Sequence, residues 1–550
     1  MTNSLLTLER VSLVLPNGTP LFTDITEQFD HRHTGLVGRN GVGKSLLAQL
    51  LAGLLAPSSG QCHCSGKVRY LAQHLTPEKY ANVAALAGVE NTLAALLRIE
   101  TGSVDPADFE QVGDDWDIHQ RLHTQLESAG LGYLSPESPV SQLSGGEAMR
   151  VALIGATLSD ADFLILDEPT NHLDGPSRRA LMQQLQRWSG GLLVISHDRA
   201  LLQQMARIVE LSSLGLRSYG GNYAFYQQAK TQETTAAAQK LERLKVERKR
   251  EEQALREQRE KLEKRQSRGE RRGKEANQAN ILLGRQKGRS EASAGKLQKQ
   301  QLEARAQLSQ QVQEAAKHLE AASQIAMHSA SLAATTARKV AALTDVTLPF
   351  VAPPFNQITL NISGGQRIGV VGSNGCGKST LLKVLAGLLP PISGLREAWV
   401  NMAYLDQRLS CLDPQRTVLE QLLEVNSVTG ESQLRMQLAQ LGLDASRALL
   451  PCARLSGGEQ LKAALAKVIY ASSPADCLLL DEPSNHLDLP SLAALEALLN
   501  QYQGTLLVVS HDEAFLAQIG LTHWLVAGKK AGSSFIIEIP YDIHIYTQFD

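Results

Sequence analysis

Two octets carry the residue types that hold a chain of phosphates: Gly38-Arg39-Asn40-Gly41-Val42-Gly43-Lys44-Ser45 and Gly372-Ser373-Asn374-Gly375-Cys376-Gly377-Lys378-Ser379. Glycines let successive backbone N–H groups turn inward around an anion, and a helix starting at the lysine adds the positive end of its dipole. In that arrangement Lys44 and Lys378 pair with the β and γ phosphates, and Ser45 and Ser379 offer hydroxyls to Mg2+, with Thr380 beside the second. Cys376 occupies a variable place in its loop and is assigned no chemistry of its own. Further along, the apolar runs of LILDEP and LLLDEP each end in two carboxylates. Asp167 and Asp481 are placed to hold Mg2+, directly or through water. Glu168 and Glu482 are placed to polarise an attacking water, since phosphoryl transfer depends on positioning and charge stabilisation.

His197 and His511 each follow an apolar run and a serine and precede an aspartate. A histidine at a strand end is often only a satisfied surface group, but its duplication favours a γ-phosphate contact. Gln73 and Gln407, in YLAQ and YLDQ, are candidate nucleotide-binding residues. Ser144-Gly145-Gly146 and Ser456-Gly457-Gly458, in two copies of LSGGE, again offer a hydroxyl, backbone donors and a helix start to an anion. They lie 100 and 78 residues beyond the phosphate-loop lysines of their own halves.

These elements need a scaffold, and the chain repeats it. Octet, YLxQ, LSGGE, LDEPxNHLD and SHD recur in one order, the last as residues 196–198 and 510–512. Lys44 and Lys378 are 334 apart, as are Gln73 and Gln407; Ser144 and Ser456 are 312 apart; Asp167 and Asp481, and His197 and His511, are 314 apart. The first half therefore holds 22 extra residues between Gln73 and Ser144, read as a small acidic, turn-rich surface insertion. Around each octet, HTGLVGRN and RIGVVGSN read as buried strands, and SLLAQLLAGLL and STLLKVLAGLL as helices. FLILDEP, CLLLDEP, LLVISHD and TLLVVSHD are continuous apolar strands, which fit a parallel sheet covered on both faces. Each half is α/β.

Between the halves, residues 223–338 are rich in Gln, Ala, Glu, Lys and Arg and contain no proline. That composition reads as long helix over 230–265, interrupted by glycines at 269, 273, 284, 288 and 295, with a second helical run from Lys296 to Lys339. An antiparallel hairpin with a glycine-rich tip follows. From Lys240 to Gln300 twenty Lys and Arg stand against ten Glu, a local +10 in a chain of net charge −2. The excess lies at the tip, in Lys264, Arg265, Arg268, Arg271, Arg272, Lys274, Arg285, Lys287 and Arg289, against two acidic residues. The balanced stretch 241–263 reads as a solvated helix, whereas the tip is suited to a polyanion such as RNA. The apolar tip residues Ile281, Leu282 and Leu283 fit either a nucleic-acid contact or packing of the turn.

Composition narrows the rest. With 43% hydrophobic and 20% charged residues, the chain reads as a soluble globular protein of more than one domain. No uninterrupted apolar stretch reaches the roughly 18 residues that a membrane span needs. The N-terminal MTNSLLTLERVSLVLPNG lacks the pattern of a signal peptide. Six scattered cysteines form no disulfide framework, and Cys62-His63-Cys64 has no second ligand pair at metal-binding spacing, so a reduced, cytoplasmic protein is expected.

The ordered set of Walker A, Q-loop, LSGGE signature, Walker B, D-loop and H-loop resembles the nucleotide-binding domain of the ABC ATPases, over about 430 of 550 residues. The resemblance implies an α/β fold of two ABC-type P-loop domains paired head to tail, with Lys44 facing Ser456 across one ATP and Lys378 facing Ser144 across the other. It favours ATP over GTP as nucleotide. Within the superfamily the chain most resembles the ABC-F class of ribosome-associated ATPases. Both halves share one chain, the D-loops read NHLD at 171–174 and 485–488, and a charged helical linker separates the halves, begun by GGNYAFYQQAK. The expected division is a first domain over 1–222, a linker over 223–338 and a second domain over 339–550, in a monomer with an intramolecular domain pair. The resemblance implies Mg2+ with ATP, and a linker reaching rRNA and the P-site tRNA. The insertion is short for the arm of that class, and only 39 residues follow His511, without a long charged coiled coil. No aromatic near Val14 is placed to stack a base at the first site, whereas Phe350 is so placed at the second. Short arm and absent tail suit the ribosome-protection members linked to antibiotic resistance, and housekeeping translation factors equally. Two other classes compete: a transporter-energising subunit, which the basic hairpin does not suit, and a DNA-maintenance ATPase, in which coiled coil would split each domain.

Overall fold

A computed structural model describes residues 6–73, 80–159, 161–171, 173–275, 309–312, 339–353, 356–485, 487–530 and 533–538. The chain separates into two compact units. One holds both repeat halves (Met1–Phe225 with Ile325–Asp550), the other the intervening Tyr226–Gln324.

In the first half, β1 (Leu6–Val14), β2 (Pro20–Phe29) and, later, β4 (Ser59–Cys64) make an antiparallel sheet in the order β2-β1-β4. A second sheet carries the chemistry. It comprises β3 (His33–Gly38), β5 (Val68–Leu71), β6 (Phe163–Asp167), β7 (Gly191–Ile195), β8 (Arg207–Ser212) and β9 (Gly215–Tyr219), in the order β5-β6-β7-β3-β8-β9. Its strands are parallel except for the β8–β9 pair, so the expected parallel sheet has an antiparallel edge. Helices α1 (Lys44–Leu51), α2 (Val83–Ala87), α3 (Glu90–Glu100), α4 (Pro106–Val112), α5 (Ile118–Ser128), α6 (Gly145–Leu158), α7 (Gly175–Gln186) and α8 (Arg199–Gln203) complete this half.

The burial pattern explains why these stretches fold so. Every residue of β6 and β7 is buried, as a strand covered on both faces demands. Leu47, Leu50 and Leu51 of α1 pack in one cluster with Leu8, Phe22 and Phe29 of the antiparallel sheet and Phe163, Ile165, Leu193 and Ile195 of the parallel one. The helix behind the phosphate loop is thus clamped between two sheets, each fully buried leucine contributing about 1.5–3 kcal/mol.

The acidic insertion is more regular than its composition suggests. Within it α4 starts at Pro106, capped by Asp105, whose carboxylate accepts from the Ala107 amide at 3.0 Å. Proline at the first helical position and an aspartate cap are a strong helix start, which outweighs the turn-rich flanks.

Helix α9 (Tyr223–Glu275) is one element of 53 residues, about 80 Å at 1.5 Å per residue. It runs through Gly269 and Gly273, where an interruption is expected from sequence. Each glycine costs about 1 kcal/mol against alanine, which the surrounding Arg, Glu, Lys and Gln, all strong helix formers, absorb. The second limb of the hairpin lies outside the described residues, apart from a helical turn at 309–312.

The second half repeats the plan. An antiparallel sheet pairs β10 (Lys339–Thr347), β11 (Gln357–Ser363) and β13 (Ser393–Ala398). The larger sheet joins β12 (Arg367–Val371), β14 (Met402–Leu405), β15 (Cys477–Asp481), β16 (Thr505–Val509), β17 (His523–Lys530) and β18 (Ser533–Glu538), in the order β14-β15-β16-β12-β17-β18. Helices α10 (Lys378–Ala386), α11 (Val418–Val425), α12 (Glu431–Gln440), α13 (Ala445–Ala448), α14 (Gly457–Ile469), α15 (Leu489–Gln501) and α16 (Glu513–Gln518) surround it. No described helix is long and apolar enough to cross a membrane.

Candidate nucleotide sites

Each phosphate loop leaves the central strand of its sheet and enters a helix: β3 into α1, and β12 into α10. Gly38 opens the first loop with φ +155°, and a Cβ there would collide with the Leu211 carbonyl oxygen, so only glycine fits. The lysines fold back over their own loops. Lys44 Nζ donates to the carbonyls of Gly38 at 2.8 Å and Arg39 at 3.1 Å, and Lys378 Nζ to those of Gly372 at 2.8 Å and Ser373 at 2.9 Å. Both are buried, 8% and 7% exposed, which fixes a cation at the centre of each loop. Burial lowers the Lys44 pKa, against the pull of Glu168, Asp488 and Asp167.

The Walker B strands deliver their carboxylates beside those loops. Ser379 Oγ donates to Asp481 Oδ1 at 3.1 Å. Behind each aspartate stands a tyrosine not anticipated from sequence: Tyr70 donates to Asp167 Oδ2 at 3.3 Å and Tyr404 to Asp481 Oδ2 at 2.9 Å. Burial, with the aspartate beside it, pushes the Tyr70 hydroxyl up to about 12, so it remains a donor. Both tyrosines stand three residues before the Q-loop glutamine, and their repetition in YLAQ and YLDQ is the signal that could have found them.

Glu168 and Glu482 share an unusual backbone. Their φ angles are +50° and +51°, the left-handed region that non-glycine residues seldom enter. Their amides hold this bend by donating to Ile195 O at 2.8 Å and Val509 O at 2.9 Å, on the adjacent strand. Such conformations cost about 1–3 kcal/mol and gather at functional sites. The bend turns each glutamate toward the histidine of its own half, His197 Nε2 lying 3.4 Å from Glu168 Oε1 and His511 Nε2 3.5 Å from Glu482 Oε1. Burial raises Glu168 to about 8 and Glu482 to about 7. Burial, then the nearby lysine, lowers His197 to about 3 and His511 to about 4. The rings are neutral at physiological pH.

The signature serines cap helices. Ser144 Oγ accepts from the Glu147 amide at 3.3 Å while Glu147 accepts from the Ser144 amide at 2.7 Å, and Ser456 with Glu459 repeats this capping box at the start of α14. Gly146 is packed against α7, where a Cβ would come 2.8 Å from Ser177 Cβ, whereas Gly145 faces open space. One glycine admits the neighbouring helix and the other leaves the helix start accessible.

The two halves meet through the last residues of their D-loops, Asp174 and Asp488, to which the sequence assigned no contact of their own. Asp488 caps α15 through the Ser491 amide at 2.9 Å, and its second oxygen accepts from the Asn40 amide of the first phosphate loop at 3.0 Å. Asp174 does the same in reverse, capping α7 through Ser177 at 3.0 Å and accepting from Asn374 at 3.2 Å. Arg199 and Glu496 form a second cross-half contact, at 2.7 and 3.2 Å. A cavity of about 500 Å³ opens there. Its lining includes Lys44, Ser45, Gln73, Asp167, Glu168 and His197 from the first half and Ser484, Asn485 and His511 from the second. Leu15 and Leu21 line it where an aromatic base platform is missing from the sequence. On α14, six residues past Ser456, Lys462 feels both Arg39 and Asp488, which sets that helix beside the first phosphate loop. Phe350, expected at the other base position, has φ +61° and is 93% exposed.

The residues present suit a magnesium nucleotide. Among the described residues no cluster of three His, Cys, Asp or Glu side chains could hold a metal unaided. Serine hydroxyl and aspartate oxygens are the hard, incomplete donor set that Mg2+ takes when phosphates and water supply the rest. Both ring nitrogens of His197 and Oε1 of Glu482 are buried without a hydrogen-bond partner, polar atoms suited to a phosphate oxygen or a water. Of the expected polyanion contacts, Lys264 is exposed on α9, and Arg265, Arg268, Arg271, Arg272 and Lys274 lie on the same helix. Arg285, Lys287, Arg289 and the apolar trio 281–283 lie outside the described residues.

Comparison with known proteins agrees with this architecture. The ABC transporter family matches residues 27–171 and again 355–485. ABC transporter F family member 5 of Arabidopsis thaliana is 30% identical over 537 residues, 91% of this chain and 72% of that one. The ribosome protection protein VmlR of Bacillus subtilis (strain 168) is 30% identical over 498 residues, 88% of this chain and 79% of its own. Among solved structures, the archaeal ribosome recycling factor aABCE1, crystallised with the ribosomal stalk protein aP1, superposes with a TM-score of 0.56 at 19% identity, over 96% of this chain and 89% of that one. That likeness is one of fold. With two P-loop domains in one polypeptide and relatives matched along nearly its whole length, the chain belongs to the ABC ATPases, and within them to the F family of tandem ATPases.

Proposed function

We propose that this ATPase closes its two halves on two Mg2+-ATP, binds the ribosome in that closed state, and leaves it after hydrolysis. The observation that carries the reading is the reciprocal pair of D-loop bonds, Asp488 to the Asn40 amide and Asp174 to the Asn374 amide. Each ties one half to the phosphate loop of the other, so nucleotide in either loop bears on the contact between halves. Bound Mg2+ would neutralise charge on the β and γ phosphates. The chain's own part is to wrap the phosphates with loop amides and Lys44 or Lys378, and to hold the metal with Ser45 and Asp167 or Ser379 and Asp481. Glu168 and Glu482 accept a hydrogen bond from the attacking water and orient it. Neutral His197 and His511 donate to the γ phosphate, and the signature residues Ser144 and Ser456 complete each site from the opposite half.

The ribosome enters this reading through the basic surplus at the linker tip and through relatives named for ribosome protection and ribosome recycling. We assign the first domain to 1–222, the linker to 223–338 and the second domain to 339–550, in a monomeric, cytoplasmic protein. The linker tip contacts rRNA and the P-site tRNA, and acts either in translation generally or in protecting ribosomes from antibiotics. The test is sedimentation. A Glu168→Gln, Glu482→Gln chain, slow to hydrolyse, should pellet with ribosomes when ATP is present. Recovery only in a soluble or membrane fraction would overturn the ribosomal reading.

A further inference from the structure

Residues 314 apart answer each other along the last part of each half, as His197 and His511 do. Arg178 breaks that correspondence. It lies on α7, four residues after the D-loop Asp174, and is buried. Its Nε and Nη2 grip both oxygens of Asp198, the residue after His197, while Nη1 donates to the main-chain carbonyl of His511 at 2.7 Å. One guanidinium therefore reaches both histidine turns, one in each half. Position 492, which answers to 178, is a leucine in the core of the second half, with no donor to offer the His197 carbonyl.

The surroundings favour a one-sided device. Asp198 keeps other anchors, since Oδ1 also accepts from the Ala200 amide at 2.9 Å and the Leu201 amide at 3.1 Å. The cavity beside the first site runs past Arg178 and Asp198 to His511 and Asp512, so both histidine turns border one space.

We propose that Arg178 is a positioning residue for the second ATP site: by holding the His511 carbonyl it fixes the turn that presents the His511 ring to the γ phosphate at Lys378. Because the same guanidinium is locked to Asp198, this support reaches the second site only when the first half is docked. The first site receives no matching support from Leu492. The two sites are therefore unequal, and the second depends on the first half. This rests on the reading of His511 as a phosphate contact and of Glu168 and Glu482 as the water-orienting carboxylates.

The test measures ATP turnover by Arg178→Leu and Arg178→Lys, each in a Glu168→Gln background, where the second site works, and in a Glu482→Gln background, where the first works. Lysine keeps the charge, but its donors all sit on one nitrogen and cannot reproduce the planar fork that reaches Asp198 on one side and the His511 carbonyl on the other, so both substitutions should act alike. In the first background kcat should fall about tenfold or more with KM for ATP within about twofold, as misplacement of a catalytic group predicts. In the second, kcat should stay within about threefold. Equal losses in both backgrounds, a rise in KM that accounts for the loss, or rescue by lysine would overturn the proposal. If the leucine variant fails to fold, the lysine variant carries the same comparison. Turnover remaining in the double glutamine chain would overturn the glutamate assignment instead. Arg178 is then judged on total turnover: a kcat loss at constant KM and Tm supports it, and unchanged kcat overturns it.

Discussion

Glu168 concentrates the physics of the site in one residue. Its backbone is strained at φ +50° and its carboxyl is raised to about 8 by burial, from an ordinary value of 4.5. Between those values the folded, nucleotide-free chain holds a proton that the unfolded chain has released. Stability from this group is present below the unfolded pKa and is lost as pH rises through the folded one. Glu168→Gln removes the titration. Its Tm without nucleotide should match the wild type near pH 5 and exceed it by a few degrees at pH 8. Thermal melting at the two pH values checks this, and a gap that does not change with pH would contradict it. The identity of this glutamate was legible from LDEP, repeated after two apolar runs. Its backbone bend was not, because the bend is imposed by the hydrogen bond to Ile195 on a neighbouring strand, distant in sequence.

At the scale of elements, the D-loop aspartates do two jobs that substitution can separate. Asp488→Ala removes the cap of α15 and the bond to Asn40, and should destabilise the chain by about 0.5–2 kcal/mol through the cap alone. Asp488→Ser keeps a capping oxygen on a side chain with one acceptor instead of two. It should restore most of the Tm while ATP turnover stays several-fold below wild type. Recovery of turnover together with Tm would show that capping is its whole contribution. The strands, the phosphate helices and the repeat itself were legible, since periodicity and Gly-Lys-Ser spacing are local signals. The cross-half bonds were not. Asp174 and Asp488 enter from sequence only as the last residues of the two NHLD D-loops, and nothing local indicates that their carboxylates meet an amide of the other half. The linker shows the opposite failure: Gly269 and Gly273 signalled a break, yet α9 continues to Glu275 because its other residues favour helix.

For the whole molecule, the account joins ATP-dependent closure to a polyanionic partner. Replacing Lys264, Arg265, Arg268, Arg271, Arg272 and Lys274 with glutamine should leave basal ATP turnover within about twofold, since α9 carries none of the phosphate loops. It should weaken ribosome binding and flatten its salt dependence, by roughly 0.9 in log–log slope for each phosphate that the linker no longer neutralises, as for a charged duplex. Unchanged ribosome affinity and salt slope would place the RNA-binding surface elsewhere. The most direct measurement sediments the Glu168→Gln, Glu482→Gln chain with ribosomes through sucrose at moderate salt, with and without ATP. Closure coupled to ribosome binding predicts recovery in the ribosomal pellet with ATP and little without it. Equal recovery in both conditions, or none in either, would contradict the account.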